Sequence, residues 1–200
     1  MQRRLLFIVI GLLGGLLIWM LLVWRPVAEE GSEALGQRLS APPKGGEFSL
    51  VSYRGPVRLS DFHGKVVLLY FGYTWCPDIC PTNLAMMSAA LNEMRAEELA
   101  GVQGIFISVD PRRDTPQRLK EYVEYFHPQL LGVTGSTAEI AATAGHYGAA
   151  YRPVKEDVEG QYAVDHTADT YIIDRQGKLV VALPHGSGVE ALLAVVRSLL

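Results

Sequence analysis

Val66 to Tyr73 reads Val-Val-Leu-Leu-Tyr-Phe-Gly-Tyr, a near-continuous apolar run with no charged position on either alternating face. A strand of that kind needs cover on both sides, so it belongs at the centre of a sheet rather than on a half-exposed face. Thr74-Trp75-Cys76-Pro77-Asp78-Ile79-Cys80-Pro81 follows at once, and then Leu84, Met87, Leu91 and Met94 recur at helical spacing. The chain thus predicts a central strand that feeds a helix through a short segment carrying two thiols. Ile105 to Val109 repeats the strand signature, and Thr115-Pro116 supplies an N-cap and first-turn pair ahead of the stripe Leu119, Tyr122, Val123 and Phe126. A βαβα order follows.

Around this unit, Phe48 to Val51 and Val57 to Leu59 predict a hairpin turning at Arg54-Gly55-Pro56. Ser136 with Glu139, and Ser187 with Glu190, have capping-box spacing and predict helices near 137–146 and 188–199. Thr170 to Ile173 and Lys178 to Leu183 flank Asp174-Arg175-Gln176-Gly177, the makings of an antiparallel hairpin. The order of elements over residues 47–200 resembles an α/β, thioredoxin-like three-layer fold with a mixed β-sheet. With 49% hydrophobic residues in 200, one such core is what the chain can fill.

The first quarter stands apart. Leu5 to Trp24 is a run of twenty uncharged residues, which as a helix spans roughly 30 Å, the depth of a bilayer core. Arg3 and Arg4 precede it and only Arg25 follows closely, so the positive-inside bias predicts a single-pass N-terminal transmembrane helix with a cytoplasmic N-terminus. The run is long for a signal peptide, and Arg25-Pro26-Val27-Ala28 makes a poor cleavage site. Residues 1–25 are therefore expected to be stub and anchor, and the aperiodic, Pro- and Gly-containing residues 26–46 a flexible linker. That places the globular domain in the periplasm, tethered to an inner membrane.

A net charge of −3 without any Lys/Arg cluster excludes a nucleic-acid partner. The two cysteines are the only ones in the chain and lie at i and i+4. A disulfide there closes too small a loop to be a useful staple. On a first helical turn both sulfurs face one way and can share a soft metal ion or exchange disulfides, and a helix N-terminus favours the thiolate. Pro81 fits the first helical position if Cys80 is the cap.

Phe71-Gly72-Tyr73-Thr74, Cys76-Pro77-Asp78-Ile79-Cys80-Pro81, Asp110-Pro111, Arg113-Asp114-Thr115-Pro116, Phe126-His127-Pro128 and Val164-Asp165-His166-Thr167 together resemble the Sco/SenC family over roughly residues 45–200. The resemblance implies a metallochaperone that binds a copper ion through Cys76, Cys80 and His166. It also implies assistance to assembly of the dinuclear copper centre of cytochrome c oxidase subunit II. Three ligands of thiolate and imidazole type suit copper(I) better than structural zinc, which takes four. A copper donor protein and a thiol-reducing thioredoxin-like protein are the further partners such a role requires.

Asp78 and Asp165 flank the ligands and are candidates to orient them from behind. His63, His127, His146 and His185 sit at turns or helix ends and have structural roles, while Asp110 and Asp114 read as a strand-end turn and a helix start. Trp75 departs from the family, many members of which carry His before the first cysteine. The competing enzymatic reading is a thiol:disulfide oxidoreductase with Cys76 as nucleophile and Cys80 as resolving thiol. Its three-residue spacer and the Asp169 before Thr170, where thioredoxins place proline, count against it. A copper or redox sensor would use the same ligands.

Overall fold

The computed structural model describes residues 7, 11, 14–16, 19–20, 43–154 and 162–200. They divide into two units, Met1–Ser40 and Ala41–Leu200. In the first, every described position is helical and its side chain exposed. Most of the apolar run and residues 26–42 of the linker lie outside the described residues. No helix among the described residues is long and apolar enough to cross a membrane.

The second unit is built on β3 (Val66–Gly72), which is buried at every position, as the absence of a polar face requires. β4 (Val102–Ser108) lies parallel to it, pairing Val66 with Val102 through Gly72 with Ser108. β5 (Leu130–Val133) runs parallel beyond β4. On the other side β8 (Thr170–Ile173) and β9 (Leu179–Leu183) run antiparallel. The order β5-β4-β3-β8-β9 makes a mixed five-stranded sheet, the thioredoxin-like α/β arrangement read from the sequence. Burying each Val, Leu, Ile and Phe side chain of its two central strands, β3 and β4, contributes about 1.5–3 kcal/mol. Phe71, Tyr147 and Tyr171 lock together by two edge contacts and one tilted contact, 5.7–6.0 Å between ring centres.

Five α-helices among the described residues complete the unit: α1 (Ile79–Asn92), α2 (Ala96–Ala100), α3 (Pro116–Phe126), α4 (Thr137–Tyr147) and α5 (Val189–Leu199). Thr115 caps α3 through Arg118 N, with Pro116 at the first position, and Ser136 and Glu139 close a reciprocal capping box on α4. Two expected caps are not used. Cys80 is the second residue of α1, whose cap is Asp78, so Pro81 falls third, where a missing N–H is still harmless. Gly188, with φ 84°, caps α5, while the Ser187 hydroxyl turns back to donate to Pro184 O.

The first hairpin joins β1 (Ser49–Ser52) to β2 (Gly55–Arg58), so Gly55 and Pro56 belong to the strand and the turn is Tyr53-Arg54. Val51 bridges to Thr134, which docks this hairpin beside β5. The domain also begins earlier than residue 47. Gly45 N donates to His146 O, and the Tyr147 hydroxyl donates to Gly46 O at 2.8 Å, so the last linker residues are fastened to α4. A separate two-stranded ribbon, β6 (Tyr151–Pro153) with β7 (Val164–His166), stands outside the main sheet.

Candidate metal centre

β3 ends at Gly72, and the chain turns through Tyr73 and Thr74 into the cysteine segment. Space at Gly72 is too tight for a side chain unless its neighbours shift: a Cβ there would lie 2.6 Å from Cys80 Sγ and 2.8 Å from the Phe106 ring. Cys80 is fully buried on the first turn of α1, and Cys76 is half-buried just before it. The backbone N–H of Cys80 donates to Cys76 Sγ at 3.5 Å, so the helix N-terminus is aimed at the Cys76 sulfur.

The ribbon brings in the third group. His166, paired with Tyr151 at the end of β7, places Nε2 3.3 Å from Cys80 Sγ. Its Nδ1 lies 3.1 Å from Thr167 O, and in the tautomer that donates there the Nε2 lone pair is free for a metal. Tyr73 and Tyr70 hold the imidazole edge-on, at ring separations of 5.8 and 6.1 Å. Sγ of Cys76, Sγ of Cys80 and a ring nitrogen of His166 all lie within 4.8 Å of one another. Two sulfurs and one imidazole nitrogen converging in that space form a site for a soft cation.

The thiols are not equivalent. Hydrogen bonding from Cys80, with further bonds from His166 and the backbone of Asp78 and Cys80, holds the Cys76 thiol down to about 4. Cys80 is pushed up by that same bond to Cys76 and by burial. In the metal-free protein the charge therefore sits on Cys76 and the proton on Cys80.

Two buried polar side chains, read from the sequence as a helix start or not singled out at all, frame the site. Asp114 is completely buried and accepts from Thr74 N (2.9 Å), Thr74 Oγ1 (2.6 Å) and Ser108 Oγ (2.7 Å). It thereby ties the turn before Cys76 to β4 and α3. Asn83, on α1, donates to Ala168 O and Thr170 Oγ1, both at 3.2 Å, and so fixes the chain just past His166. Ser108 is six residues from Asp114, but Thr74 lies 40 away and the partners of Asn83 more than 80, which is why no local pattern announces the network.

The two flanking carboxylates take other partners. Asp165 pairs with Arg152 at 3.1 Å on the exposed side of the ribbon, and Asp78 is exposed at the start of α1. Neither carboxylate is hydrogen-bonded to a ligand side chain among the described residues. Of the other histidines, His127 closes α3 by accepting from Gln129 N, His185 meets Asn83 Oδ1 at 3.2 Å, and His63 lies beside Gly177. Asp110 accepts from Tyr162 and Arg113 rather than approaching the sulfurs. Trp75 is 57% exposed beside Cys76, its indole 4.8 Å from the Arg118 guanidinium.

The family model for SCO1/SenC matches residues 36–200. The chain belongs to the SCO1/SenC family. A Sco relative from Bos taurus, named Protein SCO2 homolog, mitochondrial, is 43% identical over 151 residues, 74% of this chain and 56% of the relative. The match thus spans little more than half that relative's length. The copper-bound structure of Bradyrhizobium japonicum ScoI superposes with a TM-score of 0.71 at 39% identity, covering 78% of this chain and 99% of the other. The Sco protein BsSco, described as having a disulfide switch and as belonging to the Sco family of cytochrome c oxidase assembly proteins, gives 0.62 at 26% identity over 81% of this chain and 97% of its own.

Proposed function

We propose that this Sco protein is a membrane-anchored copper metallochaperone that carries copper(I) on Cys76, Cys80 and His166 to the dinuclear copper centre of cytochrome c oxidase subunit II. The observation that carries the reading is the convergence of two sulfurs and one imidazole nitrogen within 4.8 Å. Thiolate and imidazole are the ligands that soft copper(I) prefers. Cys76 and His166 are only half-buried, so a recipient's ligand can approach the ion and displace the donors one at a time. Copper bound to the Bradyrhizobium relative, and the assembly role stated for the family of BsSco, support the cargo and its destination.

Loading requires both cysteines reduced, which in an oxidising compartment calls for a thioredoxin-like reductant as well as a copper donor. The apolar run Leu5 to Trp24 serves as a single-pass anchor that leaves the domain on the periplasmic side and raises its effective concentration at a membrane-bound recipient.

The low position of Cys76 favours a second activity at the same residues, thiol:disulfide exchange with the recipient's cysteines. There Cys76 attacks and Cys80 resolves, and His166 only helps to hold the Cys76 thiol down. Titration of the reduced domain with copper(I) against a competing chelator separates the two. One copper per chain is expected, abolished in Cys76→Ser/Cys80→Ser and weakened in His166→Ala by more than the roughly 10–100-fold typical of a supporting residue. Binding indifferent to His166 would sink the chaperone reading in favour of exchange.

A further inference from the structure

Tyr70 stands in the middle of β3 and is fully buried, with its ring 6.1 Å from both Phe106 and His166. Its hydroxyl has one hydrogen-bond partner among the described residues: it donates to Cys80 Sγ at 3.9 Å. A buried O–H without an acceptor is unfavourable, so the sulfur is the group that satisfies it. The acceptor strength of that sulfur depends on its chemical state. As a metal-held thiolate it takes a charge-assisted bond. As a thiol bonded onward to Cys76 it is polarised by that bond. As half of a disulfide it is uncharged, and it must also move to about 2.05 Å from the Cys76 sulfur.

We propose that Tyr70 is a positioning residue whose hydroxyl biases the Cys76/Cys80 pair toward the reduced, copper-holding form by hydrogen-bonding the Cys80 sulfur more strongly there than in the disulfide. The inference rests on the reading of this pair as a reversible dithiol that carries copper. The phenol takes no part in ligand exchange. It stabilises one state of a sulfur relative to another from the inner side of the site, opposite the face a recipient approaches.

Tyr70→Phe is the decisive variant because it keeps the ring packing and removes only the oxygen. Tyr122→Phe is its control: that hydroxyl is likewise buried but has no partner among the described residues. The full chain of each, held in detergent, is brought to equilibrium with dithiothreitol. Two reductant thiols are oxidised to the cyclic disulfide as the Cys76–Cys80 disulfide is reduced to two thiols, and alkylation counts the free cysteines.

Tyr70→Phe is expected to shift this equilibrium at least threefold toward the protein disulfide, about 14 mV for a two-electron couple. It should also weaken copper(I) binding about fivefold, with Tyr122→Phe matching wild type in both. An unchanged equilibrium, a shift toward the thiols, or an equal shift in Tyr122→Phe would each overturn the role of Tyr70. A wild-type domain that holds no copper(I) would instead remove the proposed function, while the dithiothreitol equilibrium would still decide whether Tyr70 favours the reduced pair.

Discussion

Replacing Asp114 tests whether a buried carboxylate holds the cysteine turn in place. In Asp114→Ala, Thr74 N, Thr74 Oγ1 and Ser108 Oγ lose their common acceptor at once, inside a site with no solvent exposure at Asp114. Hydrogen bonds to a charged group are worth about 1.5–3 kcal/mol each, and the three share one small cavity, so the losses do not sum fully. Arg118, 3.7 Å away, is 43% exposed and regains water, which adds little. The expected destabilisation is about 3–5 kcal/mol for alanine, a large part of the 5–15 kcal/mol typical of a domain. Asp114→Asn keeps the shape and one acceptor oxygen and should lose about 2 kcal/mol. Urea unfolding of the reduced, metal-free domain measures both, with copper(I) affinity followed in parallel because Thr74 is two residues from Cys76. An alanine variant within about 1 kcal/mol of wild type would show that the network does not anchor the turn.

Two further outcomes follow from the same geometry. Gly72→Ala places a methyl against Cys80 Sγ and Phe106, so the domain should lose about 1–3 kcal/mol in urea, and copper(I) binding should weaken because the sulfur is displaced. For pH, the folded-state pKa of Cys76 is depressed to about 4, well below the ordinary thiol range, so its contribution to stability is present above the unfolded value and is lost as pH falls toward 4. The difference in melting temperature between reduced wild type and Cys76→Ala should therefore widen from pH 4 to 8, and a difference that stays flat would contradict the assignment of charge to Cys76.

What the sequence disclosed followed from how local each signal is. The all-apolar stretch of β3, the Thr115-Pro116 start of α3 and the Ser136/Glu139 box of α4 are each satisfied by residues within four positions, and each appears where expected. β5 is four residues long and includes Gly132, too short for periodicity to show. The Ser187/Glu190 pattern failed because Ser187 found a nearer acceptor in Pro184 O. At the candidate centre, the three chemically distinctive residues were legible and the fold gathers them. The supports were not: Asp114, Asn83 and Tyr70 act through tertiary partners, and a buried Tyr within an apolar run carries no mark that its oxygen meets a sulfur.

The candidate ligands are mounted unequally. Both sulfurs belong to the junction of β3 and α1, framed by the central sheet, whereas His166 rides on a ribbon that, among the described residues, pairs Tyr151 with His166, Arg152 with Asp165 and Pro153 with Val164, and adds a bond from Val154 N to Ala163 O. Freeing the Cys80 sulfur means unwinding the start of a helix packed on the core, but withdrawing the imidazole disturbs the ribbon pairs and the hydrogen bonds of Thr167 and Ala168 just past His166. The ribbon can accordingly vary in sequence, and set how readily the third ligand disengages, while the sulfur-bearing core stays unchanged.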